Sequence, residues 1–167
     1  INSSPQTFYA ATKSASYEVL RYFSSSGMLK VVILEPFDIY AADHPHGKII
    51  STLVESLTNG RKLDLSKGEQ ELAPIHALDV ATAAIEAITL EISGQLSIWS
   101  LPGPDVLTLR QLATEIAIAL EKESNLNLLS FANPYRSNEI MKVVTRHPLF
   151  PVKPGIRLGD GLFLCAL

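Results

Sequence analysis

The 167-residue sequence predicts an α/β fold built around a parallel sheet, and three observations support this prediction. Helical and strand-like apolar patterns alternate along the chain, as they do when helices cover a sheet. Residues 31–34 are Val-Val-Ile-Leu, without the alternation of a half-exposed strand, which indicates a strand buried on both faces. The length corresponds to one domain.

The first predicted helix spans residues 7–26, and the apolar strand follows at residues 30–36, where a proline ends it. Thr7 or Ser4 can cap the start of the helix, and Gly27 can close its end. The apolar residues of the helix recur at steps of three and four: Phe8, Ala11, Ala15, Val19, Tyr22 and Phe23.

The middle of the chain contains a loop, two helices and three short strands. The first of these helices stops at Asn59 and Gly60, two residues typical of turns. The inner face of the second helix is predicted to consist of four apolar residues: Val80, Ala84, Ile85 and Ile88. In order, the predicted elements are a loop at 39–47, a helix at 48–58, strands at 62–65 and 72–75, a helix at 76–90 and a strand at 95–101.

The last third of the chain begins with a helix predicted from Thr108 to about Lys122. Thr108 and Gln111 have the spacing of a capping box, in which each side chain binds the backbone N–H of the other residue. A strand is predicted at residues 126–131 from its apolar run. A loop at 133–138, a short helix or strand through Val144 and an irregular proline-containing tail follow.

Composition and charge exclude several classes of partner. The chain has 14 Lys+Arg, 17 Asp+Glu and a net charge of -3, with no basic run longer than Arg61–Lys62, so we expect no nucleic-acid partner. No apolar stretch approaches the roughly 18 residues of a membrane span, so we expect no membrane partner. A single cysteine, Cys165, fits a reducing compartment, and we expect a cytoplasmic protein.

No metal site is predicted. Asp43-His44-Pro45-His46 contains two histidines, but they lie on a proline-containing loop and no third ligand matches them. A plain loop is therefore the commoner interpretation of this segment.

The residues with the clearest chemical potential are Tyr9 and Lys13. Four positions apart, they lie one turn above each other on one helix face, so the ammonium can approach the phenol. A phenol with a pKa of about 10 is a poor acid–base catalyst near neutral pH, and an adjacent cation lowers that pKa. The pair could then move a proton to or from a carbinol oxygen. On spacing alone, a surface pair is the commoner interpretation.

Five sequence segments favour the catalytic interpretation of Tyr9 and Lys13 over a surface pair, because they occur in a recognisable order. They are Tyr9-Ala10-Ala11-Thr12-Lys13, then residues 36–40 (PFDIY), 75–81 (IHALDVA), 133–141 (NPYRSNEIM) and 154–162 (PGIRLGDGL). Together they resemble the extended short-chain dehydrogenase/reductase family, also called the NAD-dependent epimerase/dehydratase family. The fourth segment is similar to one nucleotide-sugar branch, to which enzymes like CDP-abequose synthase belong.

The resemblance implies the C-terminal part of a Rossmann-type doubly wound parallel sheet plus a small mixed α/β substrate-binding domain. Residues 1–40 would be the last Rossmann elements, and residues 41–167 mostly the substrate-binding part, with residues 76–101 returning to the Rossmann sheet. The family's glycine-rich pyrophosphate turn, expected upstream of Tyr9, does not occur in this sequence. We therefore expect a fragment that is inactive alone.

The resemblance also implies roles for four residues in a complete NAD- or NADP-dependent enzyme. Tyr9 would be the catalytic acid/base. Lys13 would hold the nicotinamide ribose and lower the pKa of the tyrosine. Pro36 and Phe37 would pass beside the nicotinamide.

By the same resemblance, Asp38, Arg136 and Glu139 would contact a nucleoside-diphosphate sugar. A guanidinium can bind a diphosphate through two parallel hydrogen bonds, which is a physical reason for the arginine. Three positions depart from the family in charge. Glu35 stands where the family usually has arginine, Leu72 where many members have arginine, and Asp38 where the family usually has asparagine. Either carboxylate would repel an anionic sugar nucleotide unless it points away.

These observations predict part of an NAD(P)-dependent nucleotide-sugar epimerase, dehydratase or reductase, in which hydride passes between sugar and nicotinamide while Tyr9 exchanges the proton. The alternative is a non-catalytic truncated homologue kept as a binding or dimerisation module. The helix that carries Tyr9 and Lys13 could form a homodimer face in either case. Its candidate contact residues are Tyr17, Leu20 and Phe23.

Overall fold

The computed structural model describes residues 7–41, 47–136 and 139–165, apart from the side chain of Cys165. The helices are α1 (Phe8–Ser25), α2 (Ile49–Asn59), α3 (Ala77–Thr89), α4 (Leu109–Ala119) and α5 (Leu158–Cys165), with a 3-10 helix at Glu123–Leu128. The strands are β1 (Val31–Pro36), β2 (Asp38–Tyr40), β3 (Leu63–Ser66), β4 (Glu71–Leu72), β5 (Pro74–His76), β6 (Leu96–Leu101), β7 (Leu107–Thr108) and β8 (Leu129–Asn133). The predicted α/β class is confirmed.

Most strand pairs in the described part of the chain are parallel. β1 pairs with β6, β2 with β5 and β3 with β8, whereas β4 and β7 are antiparallel. Val31 lies opposite Leu96 at one end of the β1–β6 pair. A bridge between Ser100 and Leu149 adds the proline-containing tail to the other side of β6. The order in this layer is therefore β1, β6 and the tail.

Capping residues set the helix boundaries. Thr7 precedes α1, and its Oγ1 accepts a hydrogen bond from the Ala10 N–H at 3.1 Å. Gly60 ends α2 with φ of +62°, a conformation that costs glycine little. Thr108 and Gln111 form the predicted capping box at the start of α4. The four helices predicted from these signals are confirmed, with ends within three residues of the predicted ones.

Two apolar cores are present. The larger lies between α2, α4, α5 and the β3–β8 pair, and its centre includes Leu53, Leu57, Leu112 and Ile116. The smaller lies between α3, β5 and the β1–β6 pair, and its buried residues are Ile75, Ala83, Leu101 and Phe150.

The helix α5 packs closely against Tyr40 of β2, and hydrogen bonds to α3 hold the segment that precedes it in the sequence. A Cβ atom at Gly161 would lie 2.2 Å from the Tyr40 hydroxyl oxygen, so a larger residue does not fit. Asp79, in the first turn of α3, accepts hydrogen bonds from the N–H groups of Gly155 at 3.2 Å and Ile156 at 3.0 Å. These contacts explain why the closing helix follows a segment without regular structure.

The prediction that β1 is buried on both faces is wrong. Val31 is buried, but the rest of the strand is only half-buried. In the described residues β1 pairs with β6 alone, and α1, whose side chains are mostly exposed, covers it loosely. An apolar run therefore marks what the strand is able to bury, whereas its neighbours decide how much is buried.

The predicted inner face of α3 is also wrong in part. Val80 is half-buried as expected, but Ala84, Ile85 and Ile88 are exposed, and Ala83 takes the central buried position. The helix is apolar on two sides, and packing against β5 selects the side that contains Val80 and Ala83.

Two short segments differ from their predicted class. Ile39 and Tyr40 were expected in a loop but form β2, because β5 offers them a parallel partner. Residues 126–128 belong to the 3-10 helix rather than to a strand, and the strand β8 starts at Leu129. No regular element is present at residues 139–144, the described part of the segment predicted as a short helix or strand.

Candidate functional site

Tyr9 and Lys13 lie on one face of α1. The Lys13 Nζ atom is 5.5 Å from the centroid of the Tyr9 ring, within the range of a cation–π contact. Tyr9 is 71% exposed, and Lys13 is exposed as well. The structure thus brings the two predicted catalytic groups together and leaves both accessible.

Pro36 and Phe37 lie at the carboxyl end of β1. Pro36 is opposite Leu101 of β6, and the Phe37 N–H donates a hydrogen bond to the Leu101 carbonyl at 3.3 Å. In open α/β sheets, ligands bind outside the carboxyl ends of the strands. Both residues therefore stand at the edge where a ligand is expected.

A cavity of about 780 Å³ opens beside Phe37. Its described lining comes from β2, α2, β3, β4 and the segment after β8, and its volume is within the range of small-molecule sites. The lining includes all three residues predicted for substrate, Asp38, Arg136 and Glu139. Residues about 100 positions apart in the sequence thus meet in one cavity.

Asp38 has a structural partner in this cavity. Its Oδ2 accepts a hydrogen bond from the Ala73 N–H at 3.0 Å. Burial raises the pKa of the Asp38 carboxyl, and the hydrogen bond from Ala73 offsets this in part. The carboxyl group therefore ties β2 to the segment between β4 and β5.

Glu139 braces the segment that carries Arg136. Its Oε1 accepts a hydrogen bond from Gln70 Nε2 at 3.0 Å, and its Oε2 accepts one from the Arg136 backbone N–H at 3.4 Å. Gln70 is buried and also donates to Ser66 Oγ at 2.8 Å. Both oxygens of Glu139 are thus occupied by the protein itself.

Glu71, a third carboxylate of the lining, is neutralised by Lys142. The Lys142 ammonium forms a salt bridge with Oε1, and the Val143 N–H donates to Oε2 at 3.2 Å. The hydrogen bond from Lys142 is the main reason why the pKa of Glu71 lies below its usual value. This pair fixes one wall of the cavity.

Two guanidinium groups of the lining remain uncommitted. The side chains of Arg136 and Arg146 are exposed and make no hydrogen bond or ion pair with any described residue. Sequence reasoning identified Arg136 through its motif but missed Arg146, which lies in a tail without a motif. Only the tertiary structure places Arg146 beside the same cavity.

Glu35 points away from this cavity. Its Oε1 accepts a hydrogen bond from the Tyr17 hydroxyl, and its Oε2 is 3.8 Å from His147 Nε2. The repulsion expected if Glu35 faced a sugar diphosphate therefore does not arise from this orientation. Leu72, in contrast, lines the cavity as an apolar residue.

The described residues contain neither a cluster of metal-binding side chains nor a helix suited to span a membrane. No group of metal-binding side chains occurs among the described residues, and the loop Asp43–His46 lies outside them. Within the described ranges, no helix has the length and apolar character that a membrane span requires.

The sequence model of the NAD dependent epimerase/dehydratase family matches residues 1–98, more than half of the chain. The chain belongs to this family. The match covers α1, the β1–β6 layer up to Ile98, and all of the described lining contributed before β6. No curated protein matches the sequence.

Solved structures with a similar fold include nucleotide-sugar enzymes. MoeE5 in complex with UDP-glucose and NAD has a TM-score of 0.80 and 17% identity, with 96% of this chain and 55% of that chain covered. A UDP-N-acetylglucosamine 4-epimerase from Methanobrevibacter ruminantium M1, in complex with UDP-N-acetylmuramic acid, has a TM-score of 0.77 and 21% identity, with coverage of 98% and 54%.

DesIV, a dTDP-glucose 4,6-dehydratase from Streptomyces venezuelae with NAD and TYD bound, has a TM-score of 0.75 and 21% identity, with coverage of 92% and 48%. The chain thus spans about half the length of each of these proteins. The similarity confirms the predicted Rossmann-type fold.

Proposed function

We propose that this chain supplies the acid–base helix and the sugar-nucleotide cavity of an NAD(P)-dependent epimerase, dehydratase or reductase. The observation that carries the proposal is the exposed Tyr9–Lys13 pair, which lies on the helix preceding the strand whose carboxyl end borders the cavity. The complexes of MoeE5 with UDP-glucose and NAD, and of DesIV with NAD, support this ligand class.

In this proposal Tyr9 moves the proton and Lys13 supports it. The phenol gives a proton to, or takes one from, a sugar oxygen, and the Lys13 ammonium stands beside it, 5.5 Å from the ring centroid. Lys13 has donors to spare for ribose hydroxyls, since it forms no ion pair with any described residue. Bound NAD or NADP supplies or accepts the hydride.

The free guanidinium groups of the cavity support an anionic ligand. Asp38, Glu71 and Glu139 are each engaged by hydrogen bonds within the protein, whereas the guanidinium groups of Arg136 and Arg146 are not, and the exposed Asp64 is the remaining carboxylate of the described lining. Two free guanidinium groups can bind the oxygens of a diphosphate through charge-assisted hydrogen bonds. Arg146 thus joins Arg136 in this proposed role.

The catalytic part of the proposal is tested in a restored protein, in which this chain is joined to a cofactor-binding half with a glycine-rich turn. Tyr9→Phe removes only the hydroxyl and should lower kcat by about 10²-fold or more, with KM little changed. Lys13→Met should also weaken cofactor binding. Tyr22→Phe, an exposed tyrosine on the same helix, is the matched control. Equal turnover in wild type and Tyr9→Phe would favour a non-catalytic binding module.

The substrate part is tested with the chain itself and UDP as the probe. Arg136→Gln and Arg146→Gln should each weaken UDP binding by about tenfold, the lower end for a hydrogen bond to a charged group. Arg21→Gln, an exposed arginine paired with Glu18 on α1 and absent from the cavity lining, should leave it unchanged. Calorimetric titration measures all three, and equal dissociation constants would remove the two arginines from the proposed site.

We also propose that α1 forms a homodimer face, through Phe23 but not through Tyr17 and Leu20, the other two residues predicted from the sequence. Tyr17 contacts Glu35 and Leu20 is half-buried, whereas Val19 is 55% and Tyr22 63% exposed beside Phe23. Val19→Glu should raise the dissociation constant measured by sedimentation, and Ile85→Glu, on the exposed side of α3, should not. A wild type that stays monomeric at all concentrations would contradict this proposal.

A further inference from the structure

The helix α1 carries Tyr9 and Lys13, yet it is weakly attached to the rest of the described chain. Ser24, near its C-terminal end, is its single buried residue. One side-chain hydrogen bond joins α1 to another described element, and it runs from the Tyr17 hydroxyl to the Glu35 carboxylate. Whatever fixes α1 over the sheet must therefore depend strongly on this contact.

The geometry of β1 directs Glu35 toward α1. Successive side chains of a strand point to opposite faces. Leu34 and its neighbour Trp99 pack in the core beneath α3, so Glu35 and its neighbour Ser100 face the other side. Glu35 thus lies on the face of the β1–β6 pair opposite α3, where Tyr17 of α1 contacts it.

A second contact holds the same carboxylate. His147 Nε2 lies 3.8 Å from Glu35 Oε2, and the His147 N–H donates to Ser100 Oγ at 3.3 Å. Glu35 therefore links α1 to the tail that extends the β1–β6 layer. Tyr17 and His147 are the titratable groups of the described chain that contact it.

Tyr9, Lys13 and Tyr17 share one stripe of the helix. They are spaced at i, i+4 and i+8, so a bond at Tyr17 also sets the direction in which the other two side chains point. The short connection between Ser25 and Val31 makes α1 run antiparallel to β1. Tyr9 is eight residues before Tyr17, about 12 Å along the helix, and so extends beyond the carboxyl end of β1.

We propose that Glu35 is a positioning residue, which fixes α1 over β1 through Tyr17 and thereby sets where Tyr9 and Lys13 stand. Its role in catalysis rests on the proposed function, whereas the anchor itself rests on the contacts above. A carboxylate in place of the arginine usual in the family is then a structural feature of this chain rather than a defect of its substrate site.

The Tyr17 phenol stays protonated, which its hydrogen bond to Glu35 requires. Burial and the hydrogen bond to Glu35 raise the pKa of Tyr17, so the hydroxyl remains a donor across the physiological pH range. A bond between a phenol and a charged acceptor is among the stronger hydrogen bonds in proteins.

The anchor is tested by amide hydrogen exchange on the chain as it stands. Tyr17→Phe should raise the exchange rates of α1 amides by about tenfold, the equivalent of one hydrogen bond to a charged acceptor, and Glu35→Leu should act similarly. The α1 exchange rates of the double variant should be close to those of either single variant, because both substitutions remove the same hydrogen bond. Tyr22→Phe is the matched control, and exchange in α3 and α4 reports that the fold is intact.

A spectroscopic readout separates an anchor from general destabilisation. The phenol of Tyr17 should ionise at lower pH in Glu35→Gln than in wild type, because the substitution removes the charged acceptor that raises its pKa. Equal α1 exchange in wild type, Tyr17→Phe and Tyr22→Phe overturns the inference whatever the turnover of the restored protein. Unchanged turnover in Tyr9→Phe overturns only the proposed function.

Discussion

The helices α1 and α4 are similar at their first residues and different everywhere else. Each begins at a threonine whose hydroxyl accepts a hydrogen bond from the third residue along. α4 then buries five side chains in the larger core, whereas the longer α1 buries only Ser24. Local signals thus suffice to start either helix, but the amount of buried surface separates them.

The well-packed and the loosely packed regions also carry different parts of the proposed site. The cavity is lined by segments that belong to the larger core, while the proposed catalytic pair stands on the loosely packed helix. Burying an apolar side chain contributes about 1.5–3 kcal/mol to stability, so α4 is fixed by its core contacts. Most helical stability in proteins comes from tertiary packing of one face, and α1 has little of it. α1 therefore depends on its few specific contacts.

The largest expected effect contrasts the two helices directly. Leu112→Ala, at a fully buried position of α4, should lower the free energy of unfolding by about 2–5 kcal/mol, because it leaves a cavity in the core. Phe8→Ala, at an exposed position of α1 outside the proposed dimer face, should change it by less than about 0.5 kcal/mol. Urea denaturation measures both. Equal losses would show that α1 is as well packed as α4 in solution.

A smaller effect is expected at the helix caps. Thr108→Ala should cost about 1 kcal/mol, since it removes half of the capping box of a helix that belongs to the core. Thr7→Ala removes an equivalent cap, but should mainly increase hydrogen exchange in the first turn of α1. A cost from Thr7→Ala equal to that of Thr108→Ala in global unfolding would contradict the comparison.

Asp38 ties β2 to the segment between β4 and β5, and its buried carboxyl predicts a pH dependence. Its pKa in the folded state is raised by burial, so its contribution is present below the unfolded value of about 3.8 and is lost as pH rises through the raised folded value. Asp38→Asn keeps an acceptor for the Ala73 N–H and removes the charge. The variant should therefore be more stable than wild type above the folded pKa, and the gain should vanish in acid. A gain that is independent of pH would exclude this origin.

The smallest effect is expected at the Glu71–Lys142 pair. The pKa of Glu71 is lowered, so its contribution is present above its usual value and is lost as pH falls through the lowered one. Lys142→Met should reduce this loss on the acid side and increase hydrogen exchange near Val143. Arg61→Met, which breaks the exposed pair with Glu55 at 3.0 Å, is the control. Identical acid titrations for both variants would show that Lys142 does not control Glu71.

Much of the fold could be predicted because its signals are local. Caps, the glycine that ends α2 and helical periodicity depend on neighbours within four residues, and these predictions are confirmed. The pairing of β3 with β8 and the exposure of Ile85 depend on distant partners, and the pattern of apolar residues does not specify them. The domain boundaries, the fragment status, the choice between NAD and NADP and the cytoplasmic location stay predictions.

The candidate site divides in the same way. The spacing of Tyr9 and Lys13 already determines that they share a helix face, because a helix repeats every 3.6 residues. The order of motifs pointed to Arg136 and Glu139. The sequence could not predict three further features of the site. Arg146 lines the same cavity as Arg136, Gln70 donates a hydrogen bond to Glu139, and Tyr17 donates one to Glu35.

The sequence by itself therefore determined the helices, the family and the shared helix face of Tyr9 and Lys13, since these depend on short spacings or on ordered motifs. The tertiary structure decided which carboxylates of the cavity have partners, which guanidinium groups remain free and that Tyr17 of α1 contacts Glu35. These properties depend on contacts between segments up to about 100 residues apart. Such contacts form only when the cores pack, and a charge has no assigned partner until they do.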